Sequence, residues 1–210
     1  MAITFPRTIP DALSHRLASQ TFTLKPMLEV TPLRHGRQIA ADLGPSLWML
    51  DWQSATVRSN VLGVARAWLD TLSSTKEFYG FDMYRQRPLV YAAGFPVGFT
   101  GACTLTSVSA PYGVVLGGLP AGLILSPGDY LSFDYNSGAN RALHRIAAGG
   151  TASGGAVTLE VRPEIRSGYA GGAAVSLYRA SARMLIIPDS YKETTDGRTG
   201  TVAFKAIQTL

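Results

Sequence analysis

The chain reads as mainly β: a β-rich scaffold with one α-helix, built from both ends of the chain and carrying a small glycine-rich β-barrel as an insertion. Three observations predict this. Sixteen of the 22 glycines lie between Tyr91 and Ala180, where short alternating segments are separated by Gly, Asn and Pro turn signals. Only one stretch, Val57 to Leu72, sustains a helical period. The last thirty residues lose glycine and regain charge, matching the first ninety rather than the middle ninety. The organisation is therefore an arm over residues 1–18, a scaffold over 19–90 and 181–210, and a small barrel over 91–180.

Met1 to Ala18 holds two prolines and no sustained period, which predicts an extended arm that is ordered only where something holds it. Phe5 and Leu13 are its candidate anchors, against its own domain or a neighbouring subunit. Phe22 to Leu33 alternates like a strand, but Pro26 and Pro32 confine it to an edge or a bulge. Arg34-His35-Gly36-Arg37 supplies a hairpin turn, and Gln38 to Leu43 a returning strand that Gly44-Pro45 ends. In Ser46 to Gln53, Trp48, Leu50 and Trp52 share one face, opposite Leu47, Met49 and Asp51.

The helix follows. Val57, Val61, Ala65, Trp68, Leu69 and Leu72 recur at steps of three and four, opposite Arg58, Asn60, Arg66 and Asp70. Ser54 or Thr56 is the expected cap, and Ser73-Ser74-Thr75 the stop. The aromatic stretch Phe78 to Tyr91 fits strands or a structured loop beneath the helix. Its rings read as core and interface, since no basic stacking pattern accompanies them.

Six short strands are predicted in the middle: Val114–Leu119, Leu123–Leu125, Asp129–Tyr135, Arg141–Ile146, Ala156–Arg162 and Ala173–Tyr178. In two of them the period is clean. Leu131, Phe133 and Tyr135 alternate with Ser132 and Asp134, and Val157, Leu159 and Val161 with Thr158, Glu160 and Arg162. The Gly149–Gly155 run is expected to be a flexible hairpin tip. Met184–Ile187 and Thr201–Ile207 are the closing strands, around a polar loop from Asp189 to Gly200.

The residues argue against chemistry. His15, His35 and His144 fall in an arm, a turn and a strand, no G-x-S-x-G elbow occurs, and no catalytic residue is assigned. No His or Cys pair has ligand spacing, so no metal is expected, and the glycine-rich Gly113–Gly118 lacks the lysine and helix start of a phosphate cradle, so no cofactor is. The acids of the middle segment, Asp129, Asp134, Glu160 and Glu164, read as turn and wet-face residues rather than a glycosidase pair. Cys103, the one cysteine, reads as a small buried hydrophobe. No secretory signal and no membrane span are expected.

The net charge is +5 with a pI near 9.5, yet basic residues are scattered: residues 1–90 carry +3, 91–180 carry +1 and 181–210 carry +1. Such a pattern is solvated surface rather than a nucleic-acid stripe. Few charges and much apolar content together point to surface buried in an assembly.

Three segments carry a family resemblance: Leu47–Trp52 leading into the helix, Leu119-Pro120-Ala121-Gly122-Leu123-Ile124-Leu125-Ser126-Pro127-Gly128-Asp129-Tyr130, and the closing Thr199–Leu210. They resemble the distal tail proteins of long-tailed phages. The resemblance implies a tail-tube-like β-sandwich with one helix plus an inserted OB-like small barrel. It also implies a ring, hexameric by that analogy, at the distal end of the tail tube, with genome DNA only in transit through its lumen. The implied partners are further copies of the chain, the tail tube protein, and tail hub, tip or baseplate proteins. The implied location is the virion tail, assembled in the host cytoplasm without membrane insertion. Tube lumens of this kind avoid positive charge, so the arginines and lysines of this basic chain are expected mostly outside the channel.

The competing readings are a head–tail joining or tail-completion protein, a host-glycan module using Tyr112, Tyr130, Tyr135, Tyr169 and Tyr178, and an enzyme with a dispersed site. A barrel of this type carries no sugar specificity by itself.

Overall fold

In the computed structural model, which describes residues 3–32, 34, 36–72, 75–109, 111–169 and 171–210, strands from the two ends of the chain form one sheet and strands from its middle close into a barrel. Before the barrel come β1 (Arg7–Thr8), helix α1 (Asp11–Ser14), β2 (Leu17–Pro32), β3 (Gln38–Ser54), β4 (Val57–Arg58), helix α2 (Ser59–Thr71) and β5 (Phe78–Phe81). The middle holds β6 (Ala102–Ser109), β7 (Gly113–Gly117), β8 (Ile124–Leu125), β9 (Tyr130–Tyr135), β10 (Asn140–Ala148), β11 (Gly150–Thr151), β12 (Ala156–Arg162) and β13 (Ala174–Ser176). The chain ends with β14 (Ser181–Ile186), β15 (Lys192–Thr195) and β16 (Thr199–Gln208). The fold is mainly β.

The eight-stranded sheet runs β1-β5-β14-β16-β3-β2, with β4 and β15 also paired to β16. Its core is aromatic because the predicted alternation holds: Trp48, Leu50 and Trp52 are buried along β3, and Val202, Phe204 and Ala206 along β16. Helix α2 covers this core with Leu62, Ala65 and Trp68. The Trp68 ring packs edge-on against Phe78, with centroids 5.3 Å apart.

The barrel closes in the order β10-β12-β7-β6-β13-β9, with every pairing antiparallel. Closure leaves it no free edge. The alternating side chains of β9 and β12 fill its interior, and Leu105, Val114 and Leu116 complete it. Tyr91, Phe95 and Phe99 pack on this core from the connecting segment.

The three tryptophans each direct an indole N–H to a different part of the molecule. Trp48 Nε1 donates to the Leu143 carbonyl oxygen on β10 at 2.8 Å, joining barrel to sheet. Trp68 Nε1 donates to the Thr8 carbonyl oxygen at 3.0 Å, joining helix to arm. Trp52 Nε1 lies 3.3 Å from the Met83 sulfur, beneath the segment that leaves the sheet. A buried indole N–H needs such a partner.

Several expectations are corrected. The arm is not extended throughout: β1 pairs in parallel with β5, α1 adds a second, single-turn helix, and Ile9 and Leu13 are buried in the sheet's own core. Leu13 therefore anchors the arm within this chain. Val57 precedes α2 in strand β4, because Gly200 and Thr199 of β16 offer it and Arg58 backbone partners. Neither Ser54 nor Thr56 caps the helix. The N-cap position is Arg58, without a side-chain bond, and the Ser54 hydroxyl instead accepts from the Val202 N–H at 2.9 Å.

Gly44-Pro45 does not end the returning strand, since β3 runs on to Ser54 and β2 bulges opposite, around Pro26. The polar loop 189–200 contains β15, and β6 is a barrel strand that no alternation announced. The Gly149–Gly155 run is not merely a tip, because Gly150 and Thr151 pair with β8. Gly149 permits this contact, since a Cβ there would lie 2.1 Å from the Leu125 carbonyl oxygen. The expected strand end at Leu33, the turn residue His35 and the helix stop at Ser73-Ser74 lie outside the described residues.

Candidate assembly surface

β2 and β3 are the longest strands, and they outrun the sheet. β16 pairs with β3 only from Met49 to Gln53, and beyond Lys25 the two strands continue as a ribbon with no third strand on either side. Residues 25–32 and 36–43 are all exposed. At strand rise the ribbon reaches roughly 25 Å from the core.

Register decides what the ribbon displays. Val30 stands opposite Ala40 and Leu28 opposite Asp42, so one face carries Leu28, Val30, Pro32 and Ala40. Glu29 opposite Ala41 and Thr31 opposite Ile39 make the other face. Leu28, Val30, Ile39 and Leu43 each expose half or more of their surface. The ribbon's charges are Lys25, Arg34 and Arg37 against Glu29 and Asp42, three positive minus two negative, so it has almost no field of its own.

A two-stranded ribbon alone in water is marginal. One that exposes Leu28 and Val30 on one face beside Asp42 and Gln38, and Ile39 on the other beside Glu29 and Thr31, and that flanks an open sheet edge, has the properties of a surface awaiting another chain. The expected hairpin of Phe22–Leu33 and Gln38–Leu43 covers this ribbon, and what it lacks is the continuation through Gly44-Pro45 into Trp48–Gln53.

A second apolar patch surrounds Asp129. This carboxylate is fully buried and accepts the Leu89 N–H at 2.8 Å on Oδ1 and the Ser126 N–H at 2.8 Å on Oδ2. The Asp129 N–H itself donates to the Ser126 carbonyl, closing the Ser126-Pro127-Gly128-Asp129 turn with Gly128 at φ +91°. The turn role is as predicted, and its other half, fastening the segment that enters the barrel, lies 40 residues away in sequence. Around this point Leu89, Val90 and Ile124 are left exposed.

The groups weighed for chemistry are placed apart. His15 is exposed at the end of α1, and His144 is buried inside the molecule. Asp134 forms a two-pronged ion pair with Arg141, at 2.7 and 3.0 Å. Glu160 is exposed and pairs with Arg162 at 2.7 Å. Cys103 is buried on β6, and burial pushes its thiol up to about 12, away from thiolate chemistry. Among the described residues no three His, Cys, Asp or Glu side chains come together as a metal site would require.

The supply of exposed tyrosines is corrected. Tyr130 and Tyr135 are buried, Tyr169 packs on the barrel core, and Tyr112 and Tyr178 are half-buried beneath Arg162 and Arg87 at 3.8 and 4.7 Å.

No family model matches this chain. No curated protein matches it either. Among the described residues no helix is long and apolar enough to cross a membrane.

Proposed function

We propose that the chain is a non-enzymatic structural subunit that assembles with copies of itself into a ring, and that this ring is the distal end of a long-tailed phage tail tube. The observation that carries the assembly reading is the ribbon of β2 and β3, exposed throughout and displaying Leu28, Val30, Ile39 and Leu43 to solvent. A second copy covering it would remove both its apolar surface and the open edge of β2 from water. The phage assignment is supported by the resemblance of Leu47–Trp52, Leu119–Tyr130 and Thr199–Leu210 to distal tail proteins. A closed barrel carried between two halves of one sheet fits the same reading. The tail tube protein on one side and hub or baseplate proteins on the other are the proposed neighbours, with DNA passing through the lumen.

The basic charge fits such a lumen better than its sign suggests. Arg66, Arg141, Arg162, Arg179 and Arg183 are each paired with an acid of the same chain. Arg145 lies over the Trp48 and Tyr130 rings. Cations held this way are less available to grip a passing phosphate backbone. Light scattering coupled to size exclusion, with negative-stain imaging of the purified protein, tests the reading. Rings of uniform order are expected. A homogeneous monomer at micromolar concentration with no rings would overturn it, and labelling within particles would separate a distal from a head-proximal position.

A further inference from the structure

His144 is a buried titratable group that the assembly reading does not use, and among the described residues the one buried histidine. It sits mid-strand on β10, 3 % exposed, with its ring nearly parallel to Phe133 and centroids 5.5 Å apart. Its Nδ1 lies 2.9 Å from the Pro163 carbonyl oxygen. A carbonyl only accepts, so Nδ1 carries the proton and Nε2 is a bare lone pair. Nε2 is buried without a hydrogen-bond partner among the described residues.

The segment that His144 holds, Pro163–Arg166, has no strand pairing of its own. Besides the Pro163 contact it is fastened by the Ile165 N–H to the Pro111 carbonyl oxygen at 2.8 Å. His144, Ile165, Glu164, Arg166 and Gln208 line a cavity of about 20 Å³. That space lies where barrel meets sheet, because barrel residues share its lining with Gln208 of β16, whose side-chain oxygen also accepts the Trp48 backbone N–H at 3.2 Å.

We infer that His144 is an acid-operated latch: while neutral it clamps the Pro163–Arg166 segment onto the barrel, and when protonated it releases that segment. Protonation leaves the Nδ1–H bond to Pro163 in place, but it puts a charge in a buried site and gives Nε2 a proton with no acceptor in hydrogen-bond contact, both of which oppose burial and favour opening of the segment.

The surrounding charges do not offset this. From the clamped segment itself, Arg166 repels a second cation, while Glu164 is exposed to solvent. On β9, Asp134 is engaged by Arg141. On β10, Arg145 is turned toward Tyr130. On β12, Arg162 pairs with Glu160, and from β16 the neighbour is the neutral Gln208.

Burial holds the imidazole down to about 4 against the opposing pull of the Pro163 carbonyl, and Arg166 adds a smaller repulsion. The clamp is therefore at full strength above the unfolded value of about 6.5 and is lost as pH falls from there toward 4.

Hydrogen exchange on the full chain, corrected for the intrinsic pH dependence of exchange, tests the latch at pH 7.5 and pH 4. Protection of the Ile165 and Arg166 amides is expected to fall by at least about tenfold in acid, while β3 and β16 hold theirs. His144→Gln keeps a donor for the Pro163 carbonyl but cannot take up a proton, and its Ile165 protection is expected to stay level. Unchanged Ile165 protection in the native chain at pH 4, or an equal loss in His144→Gln, overturns the proposal. Imidazole nitrogen shifts of the native chain give a second reading that needs no variant. His144 must be the neutral Nδ1–H form at pH 7 and must protonate over the range in which Ile165 loosens, and titration in a different range also overturns it.

Discussion

The barrel and the sheet handle the same problem in opposite ways. Both are antiparallel ladders over an apolar interior, but the barrel returns on itself, β9 pairing with both β10 and β13, so every strand of the ring has two neighbours. The sheet ends at β2, a sixteen-residue strand with β3 as its one strand partner, half of it beyond the core. A closed ladder completes its backbone hydrogen bonding within one chain, whereas an open one is completed by something else. The proposed self-assembly therefore belongs to the open sheet, and the closed barrel is carried on it.

What holds it is a small aromatic seam. Trp48 stacks on Phe22 at 5.1 Å and meets Tyr130 of β9 edge-on at 5.6 Å, and Arg145 of β10 donates to the Tyr130 hydroxyl at 2.7 Å. Tyr130 and Leu143 are barrel residues that belong to the sheet's core. Removing the seam is the largest blow to the comparison. Trp48→Ala is expected to cost about 4 kcal/mol in denaturant unfolding, since it empties a fully buried site and orphans the Leu143 carbonyl. A loss below 1 kcal/mol would mean that barrel and sheet are independent.

Acid acts on the same junction from the barrel side. With His144 held down to about 4 against about 6.5 unfolded, stability is expected to fall by about 3 kcal/mol between pH 7 and pH 4 relative to His144→Gln. Parallel pH profiles of the two proteins in urea would show the variant lacking this component. The expected direction is loss with acid, because the unfolded chain binds the proton more readily.

The entry turn of the barrel is the next test. Asp129→Ala leaves the Leu89 and Ser126 N–H groups without an acceptor and is expected to cost about 2 kcal/mol, whereas Asp129→Asn, which keeps one acceptor oxygen, should lose about half of that. Thermal unfolding of the two variants ranks them. Equal losses would mean that shape rather than hydrogen bonding matters there.

The smallest expected change in folding is at the ribbon. Val30→Asp with Ile39→Asp alters both faces but touches no core residue, so unfolding should shift by only about 0.5 kcal/mol or less. Assembly should nonetheless be lost, as measured by light scattering. A variant that unfolds readily, or that assembles as the native chain does, would break the division between a self-sufficient barrel and an open sheet.

Much of the architecture was legible in the residues because strand period and turn chemistry are local. The alternations at Trp48-Leu50-Trp52, Leu131-Phe133-Tyr135 and Val157-Leu159-Val161 all landed on buried faces, and Pro26 marked a bulged edge strand. β6 was missed because its hydrophobic period is diluted by threonine and serine, and β15 because Lys192–Thr195 carries no apolar face and exists as a strand only through β16. The boundary of α2 was misread because Val57 fits a helical period, and only the backbone of β16 makes it a strand.

By itself, then, the sequence determined a mainly β chain with one substantial helix and a glycine-rich middle. It did so because propensity, alternation and glycine placement act over a few neighbours. Only the tertiary structure decided that the arm is tied down by Leu13 and Trp68, that Asp129 fastens the barrel's approach, that His144 is buried with one nitrogen unpartnered, and that β2 and β3 run past the sheet into open solvent. Each of these depends on partners tens of residues apart, and burial and pairing at that range follow from the packing of the whole chain rather than from any local pattern.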